Sequence, residues 1–358
     1  MPLFPKRYNT GVLIKPLSPT DFRAGGETGI AFKDNMPSLD WTPYLPSRER
    51  QFNYRFDTMA CVSYSSLNSV ETSLNFLLRN GKIPNEKLQI LEDLGYLVNG
   101  EPNFSDRALA KMSGTTSTGN YLPNVWDSIR NHGLLPEKDW PFPENYSWEE
   151  YYAEIPEELK AKALEFKKIF DVKYEYVVTE PKNASEIIAL HLRQAPIQIV
   201  SPICRPWNEM VFPCGSTSPD HATMACKLNP TLSVGILDHY EPFQKSLAWR
   251  YYIPYAIKGV VELRESVPVA PFYYEFAKDM RRGERSEEVK MLQKALKVLG
   301  FFSLQETGYY WNQTQEAVFK FQLKYVNLNL YEKNVLRGSS VGPKTREALK
   351  VALKKSNE

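Results

Sequence analysis

The sequence predicts an α+β chain: a helical half, then a strand-rich half, then a separate three-helix module. Three observations lead there. Leu67, Val70, Leu74 and Leu77 recur at three- and four-residue steps, the period of one helix face. From Val172 to Val178 apolar and polar residues alternate, the period of a strand. Beyond residue 281 three amphipathic runs follow one another, separated by glycines. A length of 358 residues suits more than one domain, and 42% hydrophobic with 24% charged residues is enough to bury sizeable cores.

Residues 1–50 carry Pro2, Pro5, Pro16, Pro19, Pro37, Pro43 and Pro46 with Gly25 and Gly26, so they are expected to form an extended arm that wraps or docks. A domain over 51–265 follows. Its first helix is expected from Asp57, stopped by Asn80 and Gly81. Further short helices are expected over 107–112, 123–131 and 156–170. After the strand at 172–178 come a predicted helix over 184–192 and strands over 196–200, 221–226, 233–238 and 249–254. Helices first and strands second put a cleft between two lobes, where a site is readily built. Residues 266–280 read as a linker. The module over 281–355 opens with Val289, Leu292, Leu296 and Leu299 on a helix capped by Gly300. A second helix carries Ala317, Val318 and Phe321, and a third starts at Pro343 and reaches Leu353.

Several function classes fall away. The net charge of +2 implies no attraction to nucleic acid. It is unevenly spread, with 12 Lys and Arg against 7 Asp and Glu between Arg282 and Leu353, which suits an anionic polymer. No run approaches the 18 or so apolar residues of a membrane span. The first residues lack a signal peptide's basic and apolar regions, so no directed export is expected. Four cysteines (61, 204, 214 and 226) are too few for a disulfide scaffold. Cys204 and Cys214 flank a Pro-rich loop and could pair, but buried free thiols are the simpler reading. The four histidines (132, 191, 221 and 239) make no metal-binding spacing, and neither a metal nor a cofactor is expected.

The chemistry concentrates in three places. Cys61 sits at the start of the predicted helix, His221 lies 160 residues on, and Asp238 lies 17 further. A helix N-terminus and a nearby imidazolium both favour the thiolate that attacks. His221 would take the thiol proton and return it to a leaving amine. Asp238 would hold the ring in the right tautomer. His239, next to Asp238 on a strand, should face the other way, and His132 and His191 read as structural or solvent-facing. Trp207, in the loop before His221, is a candidate wall of the substrate cleft.

Ala60 to Ser65 resembles the nucleophile helix of papain-like cysteine peptidases. Asp220-His221-Ala222 is similar to that family's histidine strand, and Ile236 to Tyr240 resembles its Asn-Ser-Trp turn. The resemblance covers roughly 50–257 and implies a two-lobed fold, a helical lobe against an antiparallel sheet. The chain also departs from the pattern. The family's oxyanion-hole glutamine, six residues before the cysteine, is Arg55 here; Gln51 is the substitute candidate. Asp238 stands where the family has asparagine, and the Gly-Ser-Cys-Trp signature is missing.

The C-terminal residues carry a second resemblance. Arg282-Gly283, Val289, Leu292-Gln293, Leu296, Gly300-Phe301-Phe302, Gly308-Tyr309-Tyr310, Thr314, Ala317-Val318, Phe321-Gln322, Val341-Gly342-Pro343, Thr345 and Ala348-Leu349 appear in order. The pattern resembles the peptidoglycan-binding type 1 module along its whole length. It implies that glycines make the turns, and that the Gln and Thr positions tie loops to helices. Tyr309, Tyr310 and Trp311 are candidate sugar- and peptide-stacking residues. Together the resemblances imply a peptidoglycan hydrolase that cuts an amide of the wall peptides. A bacteriophage setting is expected, either as a lysin or as a virion component contacting other virion proteins through the arm. Two alternatives stand beside it: a non-catalytic attachment protein with a degenerate papain-like fold, and a protein-directed cysteine peptidase merely localised by its module.

Overall fold

The computed structural model describes residues 11–14, 21–23, 35–36, 38–178, 184–264, 272–302 and 306–357. The chain divides into two compact units, Met1–Arg264 and Glu265–Glu358.

The main helices of the first unit are α1 (Cys61–Arg79), α2 (Asn85–Leu94), α3 (Asp106–Met112), α4 (Leu122–His132) and α5 (Glu157–Ile169). Then follow β1 (Phe170–Val178), α6 (Ala184–Leu192), β2 (Ile197–Ser201), β3 (Met210–Val211), β4 (His221–Leu228), β5 (Val234–Leu237), β6 (Gln244–Leu247) and β7 (Tyr255–Leu263). Among the described residues these strands form one seven-stranded sheet in the order β1-β7-β2-β4-β5-β6-β3. All neighbours are antiparallel except β6 with β3. The expected α+β layout, helical lobe against antiparallel sheet, is present.

α1 is buried along most of its length because it lies across the sheet, against β4 and β7. An all-apolar helix would suffice for packing, yet α1 carries Ser65, Ser66 and Ser69 inward. Gln198 on β2 explains two of them. Its Nε2 donates to Val62 O at 2.9 Å, Ser65 Oγ at 2.8 Å and Ser66 Oγ at 3.0 Å. Its Oε1 accepts from Trp126 Nε1 on α4 at 2.8 Å. This fully paired knot fixes the first turns of α1 to the sheet. Trp126 covers Gly259 on β7, where a Cβ would lie 2.0 Å from the ring, so only glycine lets the indole sit flat on the strand.

The arm docks at several described points. Val12 and Leu13 pair in parallel with Asn120 and Tyr121. Phe22 O accepts from Tyr176 N on β1 at 2.8 Å. Trp41 is buried in the sheet core and donates Nε1 to Leu192 O at 2.7 Å. Pro2, Pro5, Pro16, Pro19, Pro37 and the Gly25-Gly26 pair lie outside the described residues.

One strand expectation needs correction. Residues 249–254 form no strand: Ala248 and Tyr251 close a turn and Arg250 takes a left-handed φ of 65°. Trp249 is exposed, whereas Tyr251 and Ile253 are buried in the sheet core. The strands instead lie on either side, β6 before it and β7 after it.

The second unit holds α7 (Glu287–Val298), α8 (Asn312–Tyr325) and α9 (Pro343–Asn357) around one apolar core. The expected Gln and Thr ties are there. Gln293 Nε2 donates to Thr314 Oγ1 at 2.8 Å, and Gln322 Nε2 to Thr345 Oγ1 at 2.9 Å. The predicted linker needs revision. Its residues 266–271 lie outside the described residues, but Phe272, Phe276 and Met280 are buried in this core. Their four-residue spacing carries apolar contacts without a helix around them.

Candidate active site

Cys61 is the first residue of α1. Ala60 provides no side-chain cap and the first turn has no acidic residue, so the free N–H groups and the helix dipole favour a thiolate. Burial acts against it and pushes the thiol well above its ordinary value. The Ala222 amide, against the sulfur, pulls the other way, while Asp57, Asp238 and Asp220 add to the rise.

His221 is the first residue of β4, the strand along which α1 packs, and it is fully buried. Its Nε2 lies 2.6 Å from Asp238 Oδ1. A carboxylate only accepts, so Nε2 is the donor of this bond. Nδ1 is buried with no hydrogen-bond partner. The sheet side thus supplies a proton acceptor whose other nitrogen is already oriented. No hydrogen bond joins it to the Cys61 sulfur in this arrangement.

Asp238 follows the end of β5 and is the most heavily hydrogen-bonded carboxylate of the site. Oδ1 accepts from His221 Nε2 and from the His239 N–H at 2.7 Å. Oδ2 accepts from Trp207 Nε1 at 2.7 Å and from Lys245 Nζ at 2.7 Å. Burial alone would raise this carboxyl, but His221 and then Lys245 hold it far below the usual carboxylate range. The ligand atoms of His221, Asp238 and His239 lie within 4.8 Å of one another, a spacing a cation could bridge. Four donors already occupy Asp238, and the Lys245 ammonium stands where a cation's charge would be, so these residues fit a hydrogen-bonded set rather than a metal.

Several expected residues take other places. Gln51 is buried, and its Nε2 donates to Asp57 Oδ1 at 2.9 Å and to Tyr240 Oη at 2.8 Å. Both amide hydrogens are committed, so Gln51 is not a free oxyanion donor here. It instead orders Asp57 and Tyr240, whose hydroxyl donates to Asp57 Oδ2. Arg55 is exposed beside Tyr54. Trp207 does not wall a cleft: its indole backs the Asp238 carboxylate, edge-on to the His221 ring. The loop carrying it is closed by a Cys204–Cys214 disulfide, so those two thiols are not free; Cys61 and Cys226 are. His239 turns toward α1, with Nε2 3.0 Å from Asn68 Nδ2, and burial draws its imidazole down to about 3.

In the second unit the three aromatic candidates separate. Tyr310 is fully buried and its hydroxyl donates to Gly338 O at 2.6 Å, so it belongs to the core. Tyr309 and Trp311 are 41% and 45% exposed and stack with centroids 5.6 Å apart at 5°. Arg282 lies over the Trp311 ring at 4.9 Å. A flat, cation-edged aromatic surface of this kind suits sugar faces and peptide planes.

Lys245, Tyr240 and Asp57 were not anticipated. Lys245 shares a strand face with Leu247, two residues on, and both are buried. That inward lysine is readable only once β6 is placed, and β6 was not.

The fold places Cys61 at the start of α1 and the hydrogen-bonded His221–Asp238 pair on the sheet against which that helix packs. Residues 285–329 match the family described as "Putative peptidoglycan binding domain". No curated protein matches the chain. Among solved structures it is similar to xylellain, a cysteine protease from Xylella fastidiosa. The identity is 12% and the TM-score 0.48, over 70% of this chain and 95% of that one. Digestive procathepsin L 3 of Tenebrio molitor larval midgut is similar at 12% identity and a TM-score of 0.46, over 71% and 76%. Bromelain from Ananas comosus is similar at 12% identity and a TM-score of 0.43, over 62% and 98%.

Proposed function

We propose that this chain is a peptidoglycan-directed cysteine peptidase, held on the wall by its C-terminal module. The observation that carries the reading is the buried His221–Asp238 pair with an unpartnered Nδ1, built on the strand against which the Cys61 helix packs. In the reaction, His221 Nδ1 takes the thiol proton and the sulfur attacks a wall-peptide carbonyl carbon. The oxyanion is met by the Cys61 backbone N–H. The imidazolium then protonates the leaving amine as the C–N bond breaks, and water hydrolyses the thioester through the same base. The setting we propose is a bacteriophage, as a lysin or a wall-opening virion component. Its support is the pairing of a hydrolase-type site with a wall-binding module, together with an arm able to dock.

The test is release of new amino groups from purified peptidoglycan of several bacterial types, comparing the full chain with Cys61→Ala. Cys-dependent release supports the reading. Retained wall binding without release on any wall sinks it in favour of a non-catalytic attachment protein. One observation favours that second reading: Cys61 and His221 are fully buried, and Gln51 is committed elsewhere.

A further inference from the structure

Lys245 stands directly behind Asp238, with its side chain fully buried. Taking an ammonium out of water costs several kcal/mol unless its charge and its N–H groups are matched. Here all three hydrogens have acceptors: Asp238 Oδ2 at 2.7 Å, Tyr240 O at 2.6 Å and Pro242 O at 2.5 Å. The Trp207 ring lies 5.6 Å from Nζ and shuts the same pocket.

The charge balance of the site gives this lysine a purpose. A thiolate, an imidazolium and a carboxylate sum to one negative charge, in a buried pocket where Asp57 and Asp220 already act on Cys61 and on His221. Such a set holds the imidazolium proton too firmly to give it up to a leaving amine, and it disfavours the thiolate. With Lys245 included the sum is zero. A neutral carboxamide in place of the Asp238–Lys245 pair would give the same total. The other faces of the His221 ring meet Tyr240 at 5.4 Å, Trp207 at 5.9 Å and His239 at 6.2 Å, centroid to centroid. None of these brings a compensating positive charge: Tyr240 is pushed up by burial, and His239 is neutral.

We infer that Lys245 is a positioning residue that neutralises Asp238, so that the Asp238–Lys245 pair presents to His221 what a single neutral amide would present. The inference rests on the proposed reading of Cys61, His221 and Asp238 as the reacting set. It also accounts for an aspartate at this place without an excess of negative charge behind the base.

The experiment uses the full chain and four variants: Lys245→Gln, Lys245→Met, Asp238→Asn, and Asp238→Asn combined with Lys245→Met. The pH midpoint of the His221 ring is followed by NMR, with His221→Gln for assignment. Lys245→Gln keeps hydrogen-bond donors and loses only the charge. Either lysine variant should move the midpoint up by about one to two pH units, as expected for one charge removed nearby in a partly screened interior. Asp238→Asn should move it down, and the double variant should return it toward the parent. An unmoved midpoint in a folded Lys245→Gln or Lys245→Met, or a double variant that fails to return, overturns the inference. If one lysine variant does not fold, the other carries the test. The titration needs no substrate, so a chain that cleaves no wall would defeat the proposed function while this readout still stands or falls alone.

Discussion

Asp238 is the residue on which the site's geometry converges, since four donors fix its two oxygens and one of them is the base itself. Removing it as Asp238→Ala should free the His221 ring and lower kcat by a factor on the order of 10³–10⁴, with KM little changed. Steady-state kinetics on released wall peptides would check this, and a loss under tenfold would argue against the assigned role. His239→Gln should leave the pH profile in place, because that ring faces Asn68 and not the thiol. Cys61, His221 and Asp238 were legible because their order along the chain survives without any knowledge of packing. Gln51 and Trp207 were misassigned because sequence distance cannot say which acceptor an amide or an indole will reach across a fold. Tyr310 looked like its neighbours Tyr309 and Trp311, yet alternation of side-chain direction buries it between them.

Among elements, the attachment of α1 to the sheet decides where the sulfur sits. Gln198→Leu would leave Trp126 Nε1 buried without its acceptor, at about 1–3 kcal/mol for the unsatisfied group, while Ser65 and Ser66 keep only their bonds to the helix carbonyls. Denaturant titration should show a loss of at least about 1 kcal/mol, and the activity of the folded fraction should fall as α1 loosens. An unchanged midpoint would mean the knot is replaced by water. Helices α1, α3, α4 and α5 were readable from period and capping signals. β7 was not, although Tyr255 to Leu263 alternates, because Gly259 and Lys258 interrupt the apolar face. Gly259 receives an indole and Lys258 pairs with Glu175 at 2.6 Å, two tertiary facts that no local pattern contains. Phe272 and Phe276 read as linker in the sequence for a similar reason: their core is supplied by α7 to α9.

At the scale of the whole molecule, each unit carries its own test. In the first, buried Glu71 and Asp106 and half-buried Glu137 lie around Glu49, and burial foremost, then the Glu49 charge, raises all three. Glu137 is pushed up to about 8 from an ordinary 4.5. Between those values the folded chain binds more protons than the unfolded one, so stability falls as pH rises. Thermal melting of this unit should therefore drop between about pH 5 and pH 8, and Glu137→Gln should flatten the curve. A melting temperature that climbs over that window would contradict the sign. In the second unit, Trp311→Ala should weaken wall pull-down without changing its melting, because Trp311 is exposed. Tyr310→Phe should cost stability and spare binding. The reverse pattern would place the binding surface elsewhere on the module.

The most direct test of the central claim, that Cys61 is a nucleophile served by His221, is the rate of alkylation of each free thiol by iodoacetamide, mapped by mass spectrometry. Cys226 is the internal control: it is equally buried, and its thiol is pushed up to about 12 with no base beside it. The account predicts that Cys61 reacts far faster than Cys226 near neutral pH, and that His221→Ala removes the difference. A Cys61 as inert as Cys226, indifferent to His221, would contradict it.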